Sequence, residues 1–323
     1  MSFQTPTIDS FVQAGAKLPE DLVNLGRMLY YETRLSKAHD LSCNSCHDLA
    51  SYGVDGKVVS PGHRGQLGDR NSPTVYNASM QFVQFWDGRE PTVEAQALGP
   101  IMNPVEMAMP NEKRVIDTLE SMPEYVEAFK KAFPGEAKPI SMQNIGKAIG
   151  AFERRLITPT RFHKLLAGDT KALTEEEQRG VEAFHTVGCT SCHTGPGVGG
   201  TQYQKLGAVK PWPNLKDKGR GAVTQKPEDD HFFKVPTLLN VAKTAPYGHD
   251  GKMETLEEAV KMMAEYQLGK TVTEEEVKAI VAFLNTLTGE IPTELIQPPP
   301  LPKSTAKTPK PDKKEPAKKG PAK

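Results

Sequence analysis

The sequence predicts a mainly α-helical chain made of two tandem copies of one domain. Two observations lead to this prediction: four short motifs occur in both halves in the same order, and all four cysteines fall in two copies of a further motif. Helix-start signals around each cysteine motif indicate that both halves are mainly helical. A chain of 323 residues is long enough for two domains of ordinary size.

The repeated motifs follow each cysteine motif in one order. Pro-Thr-x-x-Asn, Asp-Gly-basic, Thr-apolar-Glu and Lys-Ala-Ile-x-Ala-Phe begin at Pro73, Asp87, Thr92 and Lys147 in the first half and at Pro236, Asp250, Thr255 and Lys278 in the second. Four matched elements in the same order are hard to explain by chance. We therefore infer an internal duplication.

Helix signals and prolines set the predicted boundaries. Pro19-Glu20-Asp21 opens a helix that ends near Tyr31, and Thr174 with Glu177 forms a capping box for a helix that ends near Phe184. The proline of Thr158-Pro159-Thr160 ends the helix that contains Phe152. We therefore predict an N-terminal domain over residues 1–158 and a C-terminal domain over 159–290.

The last part of the chain differs in composition. From residue 291 a Pro-Pro-Pro run and a Lys/Pro/Ala stretch offer little apolar surface to bury, so residues 291–323 are predicted to form a disordered tail. From Lys303 onward there are eight lysines and two acids, a net charge of +6, which leaves −6 on the rest of a chain that is neutral overall. Zero net charge argues against general nucleic-acid binding.

The cysteine motifs indicate the cofactor. Both have the form Cys-x-x-Cys-His, which attaches haem c covalently through two thioethers and supplies an axial imidazole to the iron. A redox dithiol or half a zinc site is the alternative, but two copies that use every cysteine favour haem. We thus predict two cytochrome c-like domains with one haem each, held by Cys43, Cys46 and His47 and by Cys189, Cys192 and His193.

Covalent haem attachment of this kind takes place on the outer face of the bacterial inner membrane, which indicates a periplasmic protein. The chain opens Met-Ser-Phe-Gln-Thr-Pro, without the basic and apolar regions of a signal peptide, so we expect that a signal peptide has been removed. No apolar run approaches the ~20 residues of a membrane-spanning helix.

The sixth iron ligand decides between electron transfer and catalysis, because a substrate reaches only an open or displaceable position. In the first half, His63 stands in a loop with five glycines and is the best candidate, although a surface histidine is the ordinary interpretation. In the second half, Met263 shares a helix face with Leu256, Ala259 and Val260 and could equally be a core residue. The two haems would then be inequivalent.

Five further motifs carry a family resemblance from about Leu18 to Gly289. They are Gly62-His63, Arg70–Ala78, Phe85-Trp86-Asp87-Gly88-Arg89, Asn103-Pro104-Val105-Glu106-Met107 and His249-Asp250-Gly251. With these motifs the sequence resembles the bacterial di-haem cytochrome c peroxidases. The resemblance implies reduction of hydrogen peroxide to water, with electrons from a small periplasmic cytochrome c or cupredoxin, in an enzyme that favours homodimers.

The resemblance also implies residue roles. His63 corresponds to the displaceable ligand of the peroxidatic haem and Met263 to the ligand of the electron-transfer haem. Gln96 and Glu106 correspond to the peroxide pocket, with Glu106 as acid–base catalyst, and Trp86 to a position between the haems. Asn71 through its side chain, with Thr244 and Pro246 through their carbonyls, matches a calcium site.

Two other functions stay open at this point. Di-haem oxidases that modify tryptophan in a partner protein resemble this family, but they have a tyrosine where Met263 stands, and Tyr266 is the nearest candidate. A di-haem electron carrier without a substrate would need both irons to be permanently six-coordinate. A mobile His63 loop and a polar pocket around Glu106 argue against that reading.

Overall fold

A computed structural model describes residues 7–313, and the predicted mainly α-helical class is confirmed. The first half contains α1 Ile8–Ala16, α2 Glu20–Tyr31, α3 Cys43–Cys46, α4 Val93–Gln96, α5 Leu98–Met102, α6 Glu112–Glu120, α7 Pro123–Ala132 and α8 Met142–Glu153. The second contains α9 Arg161–Leu166, α10 Glu175–Val187, α11 Arg220–Thr224, α12 Leu256–Met262 and α13 Glu274–Asn285. The short antiparallel strands β1 Tyr203–Lys205 and β2 Phe232–Lys234 pair Tyr203 with Lys234. Within residues 7–313 no helix has the length and apolarity that a membrane crossing requires.

The repeated helix signals form as predicted. Thr92 and Thr255 cap α4 and α12 by accepting hydrogen bonds from the amides of Ala95 and Glu258. Thr174 and Glu177 form the predicted capping box of α10, which continues to Val187, one turn beyond the predicted end. These local signals are reliable because capping satisfies amides that the helix itself leaves unbonded.

Each half is built around one close helix pair, α2 with α8 and α10 with α13. A Cβ atom on Gly26 would lie 1.9 Å from the Ala148 carbonyl oxygen, and one on Gly180 would lie 2.1 Å from that of Ala279. Glycine is therefore required at both crossings, because any side chain would push the helices apart. Ala148 and Ala279 are equivalent positions of the repeated Lys-Ala-Ile-x-Ala-Phe motif. The duplication is thus visible in the packing.

A buried threonine, Thr158, joins the two halves. The amides of Asn77 and Asn240, equivalent residues of the Pro-Thr-x-x-Asn motifs, donate hydrogen bonds of 2.8 and 2.9 Å to the Thr158 hydroxyl. Their carbonyl oxygens accept from the backbone amides of Thr158 and Gly289, each at 2.9 Å. All three side chains are fully buried. The junction is therefore a closed hydrogen-bond network inside the protein.

The two hydrophobic cores do not follow the predicted domain bounds at the ends of the chain. Ile8 and Phe11 of α1 pack on the second core, although they precede the first half. Ile291, Leu295 and Ile296 pack on the first core, although they follow the second half. Each core is thus completed by a segment from the far end of the chain.

The C-terminal segment, residues 291–313, lies along the first half, whereas the sequence predicts disorder from residue 291. Ile296 is buried, and the Ser304 and Thr308 hydroxyls bond to Arg34 at 3.1 Å and Ser121 at 2.8 Å. The backbone amide of Asp312 donates to the Lys37 carbonyl at 2.9 Å. Composition alone misses these contacts because a few apolar and hydroxyl groups hold the segment on a surface that is distant in sequence. Residues 314–323 of the predicted tail and the opening residues 1–6 lie outside the described range.

Replacement of Asn240 by alanine tests the junction. We expect Asn240→Ala to lower the free energy of unfolding by about 1–3 kcal/mol, because it leaves the buried Gly289 amide without an acceptor. Asn214→Ala is the matched control, since Asn214 also has a positive φ but is exposed. Urea unfolding of the haem-loaded protein measures both effects. Equal losses in the two variants would contradict the assigned role of the hydrogen bonds.

Candidate functional site

Two cavities contain the cysteine motifs. The C-terminal cavity, of about 240 Å³, is lined by Cys189, Cys192, His193 and Met263. The N-terminal cavity, of about 1010 Å³, is lined by Cys43, Cys46, His47, Gln96 and Glu106. Each cavity therefore contains one set of the residues predicted to attach haem. Met263 lies in the C-terminal cavity, and Gln96 and Glu106 lie in the N-terminal one.

The C-terminal cavity has the donors that a haem c iron uses. The His193 Nδ1 atom lies 3.3 Å from the Val198 carbonyl oxygen, so the Nε2 atom is the one left to bind a metal. Burial lowers the pKa of the His193 imidazole to about 4, which keeps the ring neutral and able to ligate near pH 7. Two thiols, a neutral imidazole and a thioether in a largely apolar cavity fit a covalent haem.

Met263 lies where the helix pattern predicts. Leu256, Ala259 and Val260 line the same cavity, so the four residues share one helix face. A π-helical turn, Met263–Gln267, begins at Met263 directly after α12. Such turns widen the helix locally and are frequent at functional sites. Tyr266 is not among the residues of this cavity and instead packs its ring on Trp212.

The N-terminal cavity is more polar. The Tyr30 hydroxyl donates to the His47 carbonyl at 2.7 Å and holds the backbone of the cysteine motif. Gln96 and Glu106 line the cavity together with Arg89. Burial raises the pKa of the Glu106 carboxyl, while the Arg89 charge and a hydrogen bond from Asn103 oppose that rise. A carboxyl group that can hold or release a proton therefore lies in the same cavity as His47.

His63 lies beside this cavity rather than in its lining. Gly62 lines the cavity, while the His63 backbone amide donates to the carbonyls of Val105 at 3.0 Å and Glu106 at 2.7 Å. Both ring nitrogens are buried without a hydrogen-bond partner, which is costly for a polar group. The C-terminal segment closes over the loop, because Asp312 pairs with Arg64 at 3.3 Å. The structure therefore ties the His63 loop to the Glu106 segment but keeps the His63 ring out of the cavity lining.

Trp86 lines both cavities. Its indole Nε1 donates to the Asn71 carbonyl at 2.9 Å, and its own carbonyl accepts from the Lys234 amide at 2.8 Å. The indole is thus fixed in the wall that the two cavities share.

The three residues of the predicted calcium site, Asn71, Thr244 and Pro246, line one cavity. The Asn71 amide nitrogen donates to the Lys57 carbonyl at 2.8 Å, which leaves the amide oxygen for another partner. Among residues 7–313 no cluster of three or more histidine, cysteine or acidic side chains could hold a metal ion. Amide and carbonyl oxygens are hard donors that suit calcium without such a cluster.

Sequence reasoning assigned no role to several charged residues of these cavities, among them Arg89, Glu153 and Lys234. Glu153 is buried in the wall of the N-terminal cavity, and burial raises the pKa of its carboxyl to about 8. It directly follows the repeated Lys-Ala-Ile-x-Ala-Phe motif, where the second half has Leu284. A carboxyl at an apolar position of a repeat is the signal that could have identified it.

Two family models match the chain. The model described as di-haem cytochrome c peroxidase matches residues 20–171, and the cytochrome c model matches residues 177–288. The division agrees with one haem site in each half.

Curated proteins of high similarity carry the peroxidase name. Cytochrome c551 peroxidase of Pseudomonas aeruginosa is 45% identical over 303 residues, which cover 92% of this chain and 86% of that protein. Cytochrome c551 peroxidase of Nitrosomonas europaea is 46% identical over 294 residues, with 90% and 86% coverage. A solved MauG-like protein associated with microbial copper homeostasis has a TM-score of 0.76 at 29% identity and covers 87% of this chain and 94% of its own.

The cavities, the cysteine motifs and the similarities agree. Both motifs lie at cavities whose donors fit covalent haem c. The similarity to peroxidases spans nearly the whole chain rather than one half. The chain therefore belongs to the bacterial di-haem cytochrome c peroxidase family, oxidoreductases that carry two haem c groups and act on hydrogen peroxide.

Proposed function

We propose that this protein reduces hydrogen peroxide to water in the N-terminal cavity, with electrons that arrive through the C-terminal haem. The observation that carries the proposal is the difference between the cavities: only the N-terminal lining combines Glu106, Gln96 and Arg89. When bound, the haem irons supply the electrons and the binding position for the peroxide oxygen. The experiment that tests the proposal is peroxide turnover with a reduced small cytochrome c.

Glu106 is the proton-transfer group in this proposal. Cleavage of the peroxide O–O bond would require a proton to move from one oxygen to the oxygen that leaves as water. A buried carboxyl in hydrogen-bond reach of both oxygens can accept and return that proton. Gln96 orients the substrate by hydrogen bonding but cannot titrate, and the Arg89 guanidinium supplies positive charge beside Glu106.

Replacement of Glu106 by glutamine separates these roles. We expect Glu106→Gln to keep both haems and lose at least ~100-fold in turnover, the usual scale for an acid–base group. Gln96→Ala should lose less, because an orienting hydrogen bond contributes less than a proton transfer. Steady-state peroxide reduction measures both variants, and haem absorption checks cofactor content. Near-normal turnover of Glu106→Gln would remove Glu106 from the mechanism.

His63 is proposed as the displaceable ligand of the N-terminal haem, in a loop that one-electron reduction releases. Its ring nitrogens are buried without a hydrogen-bond partner, so neither is committed to another group of the protein. The loop is retained by the Val105 and Glu106 carbonyls and by the Arg64–Asp312 ion pair. Reduction can bias the loop only if these contacts differ in stability between the two states.

Replacement of His63 by glycine tests this gate. The oxidised His63→Gly protein should have an open N-terminal haem and should react with peroxide without pre-reduction, while the wild type should require it. Electron paramagnetic resonance reports the spin state, and stopped-flow absorption reports the reaction. His39→Gly is the control, since His39 has a positive φ and lines neither cavity. A His63→Gly protein that still needs pre-reduction would refute the gate, as would an already open haem in the oxidised wild type.

A calcium ion is proposed between the halves, held by the Asn71 amide oxygen, the Thr244 and Pro246 carbonyls and water. The three residues come from both halves but line one cavity. A cation there would attract oxygen ligands from each half and so stabilise their relative position.

Calcium removal gives a direct test. After dialysis of the haem-loaded protein against a chelator, calorimetry should detect one calcium per chain in the wild type and none in Asn71→Leu. Asn71→Asp is the matched variant: it loses the donation to Lys57 but keeps an oxygen ligand, so binding should persist. If Asn71→Leu binds calcium like the wild type, the ion lies elsewhere.

The remaining partners follow from charge and cofactor. We propose a periplasmic location, a small cytochrome c or cupredoxin donor that docks near the C-terminal haem, and a homodimer. The net charge of −6 on the chain before Lys303 favours a donor with a basic docking patch.

The alternative function of a tryptophan-modifying oxidase is less supported, because Met263 rather than Tyr266 lines the cavity. A plain electron carrier would have no use for Glu106 in the N-terminal cavity.

A further inference from the structure

Lys234 is a buried lysine in the wall that the two cavities share. Its side chain lines both cavities, yet the residue is only 4% exposed. It stands at the end of β2, where its backbone amide donates to the Trp86 carbonyl at 2.8 Å. The strand and the tryptophan therefore fix the position of the lysine between the two haem sites.

The Lys234 ammonium has no carboxylate partner within residues 7–313, since none lies within ion-pair distance of Nζ. Asp87 is the acid that acts on it electrostatically. The Asp87 carboxylate is already engaged by Arg70 at 2.6 Å and by Arg89 at 2.9 Å. A buried ammonium without an anion is costly, and burial lowers the pKa of Lys234 to about 7. A negatively charged group of a bound cofactor would therefore stabilise the Lys234 ammonium.

The lining of the C-terminal cavity indicates which group this is. Among the described residues that line it, Lys234 is the single lysine, arginine, aspartate or glutamate. A haem c has two propionate carboxylates, and burial of a carboxylate in an apolar cavity is unfavourable without a cation or hydrogen bonds. The N-terminal cavity has other cations, Arg70, Arg89, Lys216 and Lys252. Lys234 is therefore the cation available to a haem in the C-terminal cavity, whereas a haem in the N-terminal cavity has several others.

We propose that Lys234 is the counter-ion of a propionate of the C-terminal haem and holds that edge of the haem against the wall that contains Trp86. Two consequences follow. A propionate bound to Lys234 would lie at the wall that the two cavities share. The positive charge favours the reduced iron and so raises the reduction potential of the C-terminal haem. The inference depends on haem in that cavity and not on the peroxide chemistry, so it can fail or hold independently of the proposed activity.

Neutralisation of Lys234 tests the counter-ion in the haem-loaded protein. Lys234→Gln should lower the potential of the C-terminal haem by at least ~59 mV, a tenfold change in its one-electron equilibrium. Lys234→Arg, which keeps the charge, should restore most of the shift. Lys216→Gln is the control, because Lys216 is exposed and lines the N-terminal cavity alone. Spectroelectrochemical titration measures both haem potentials. An unchanged C-terminal potential in Lys234→Gln, or a shift confined to the N-terminal haem, would overturn the proposal.

A second readout covers the case in which Lys234→Gln fails to fold with both haems. Resonance Raman spectra of the half-reduced wild type and of Lys234→Arg isolate the propionate bending band of the C-terminal haem. We expect the band to shift between the two proteins, because the ammonium and the guanidinium bond a carboxylate with different geometry. Identical bands would overturn the proposal even if no neutral variant can be made.

Discussion

The Thr158 hydroxyl is the point on which the arrangement of the two halves depends. It accepts one hydrogen bond from Asn77 and one from Asn240, which occupy equivalent places in the two repeats. Both asparagines adopt the left-handed backbone conformation, with φ of 60° and 64°, and are fully buried. Because a buried amide without a partner is costly, these hydrogen bonds favour the observed relative position of the two repeats. That position determines which residues form the wall between the haem sites.

The same fold produces two cavities of different chemistry. At equivalent places after the repeated helix motif, the first half has Glu153 and the second has Leu284. The N-terminal lining is rich in charged groups, while the C-terminal lining has Lys234 as its single lysine, arginine or acid among described residues. An apolar surrounding with a thioether ligand favours simple electron transfer, whereas polar groups near an open position favour chemistry on a substrate. The two repeats thus keep the same helix pair while the residues that line their cavities differ.

Local patterns predict most of the fold and of the haem attachment sites. Helix caps, the cysteine motifs and the helix face of Met263 depend on neighbours within about one turn, so the sequence alone contains them. Lys234 and Glu153 were missed because their role comes from the cavity around them, which forms only when distant segments pack. The contacts of residues 291–313 were missed for the same reason. The position of the His63 loop depends on the Glu106 segment and on Asp312, both far away in sequence.

The exchange of chain ends between the cores has a consequence for synthesis. Ile8 is synthesised early, but the core on which it packs is complete only when the second half has been made. The core of the first half includes Ile296, which is synthesised near the end of the chain. Neither half can therefore complete its interior while the chain is still growing. Completion of both cores thus requires the whole chain, so truncation at either end removes packing from the core of the opposite half.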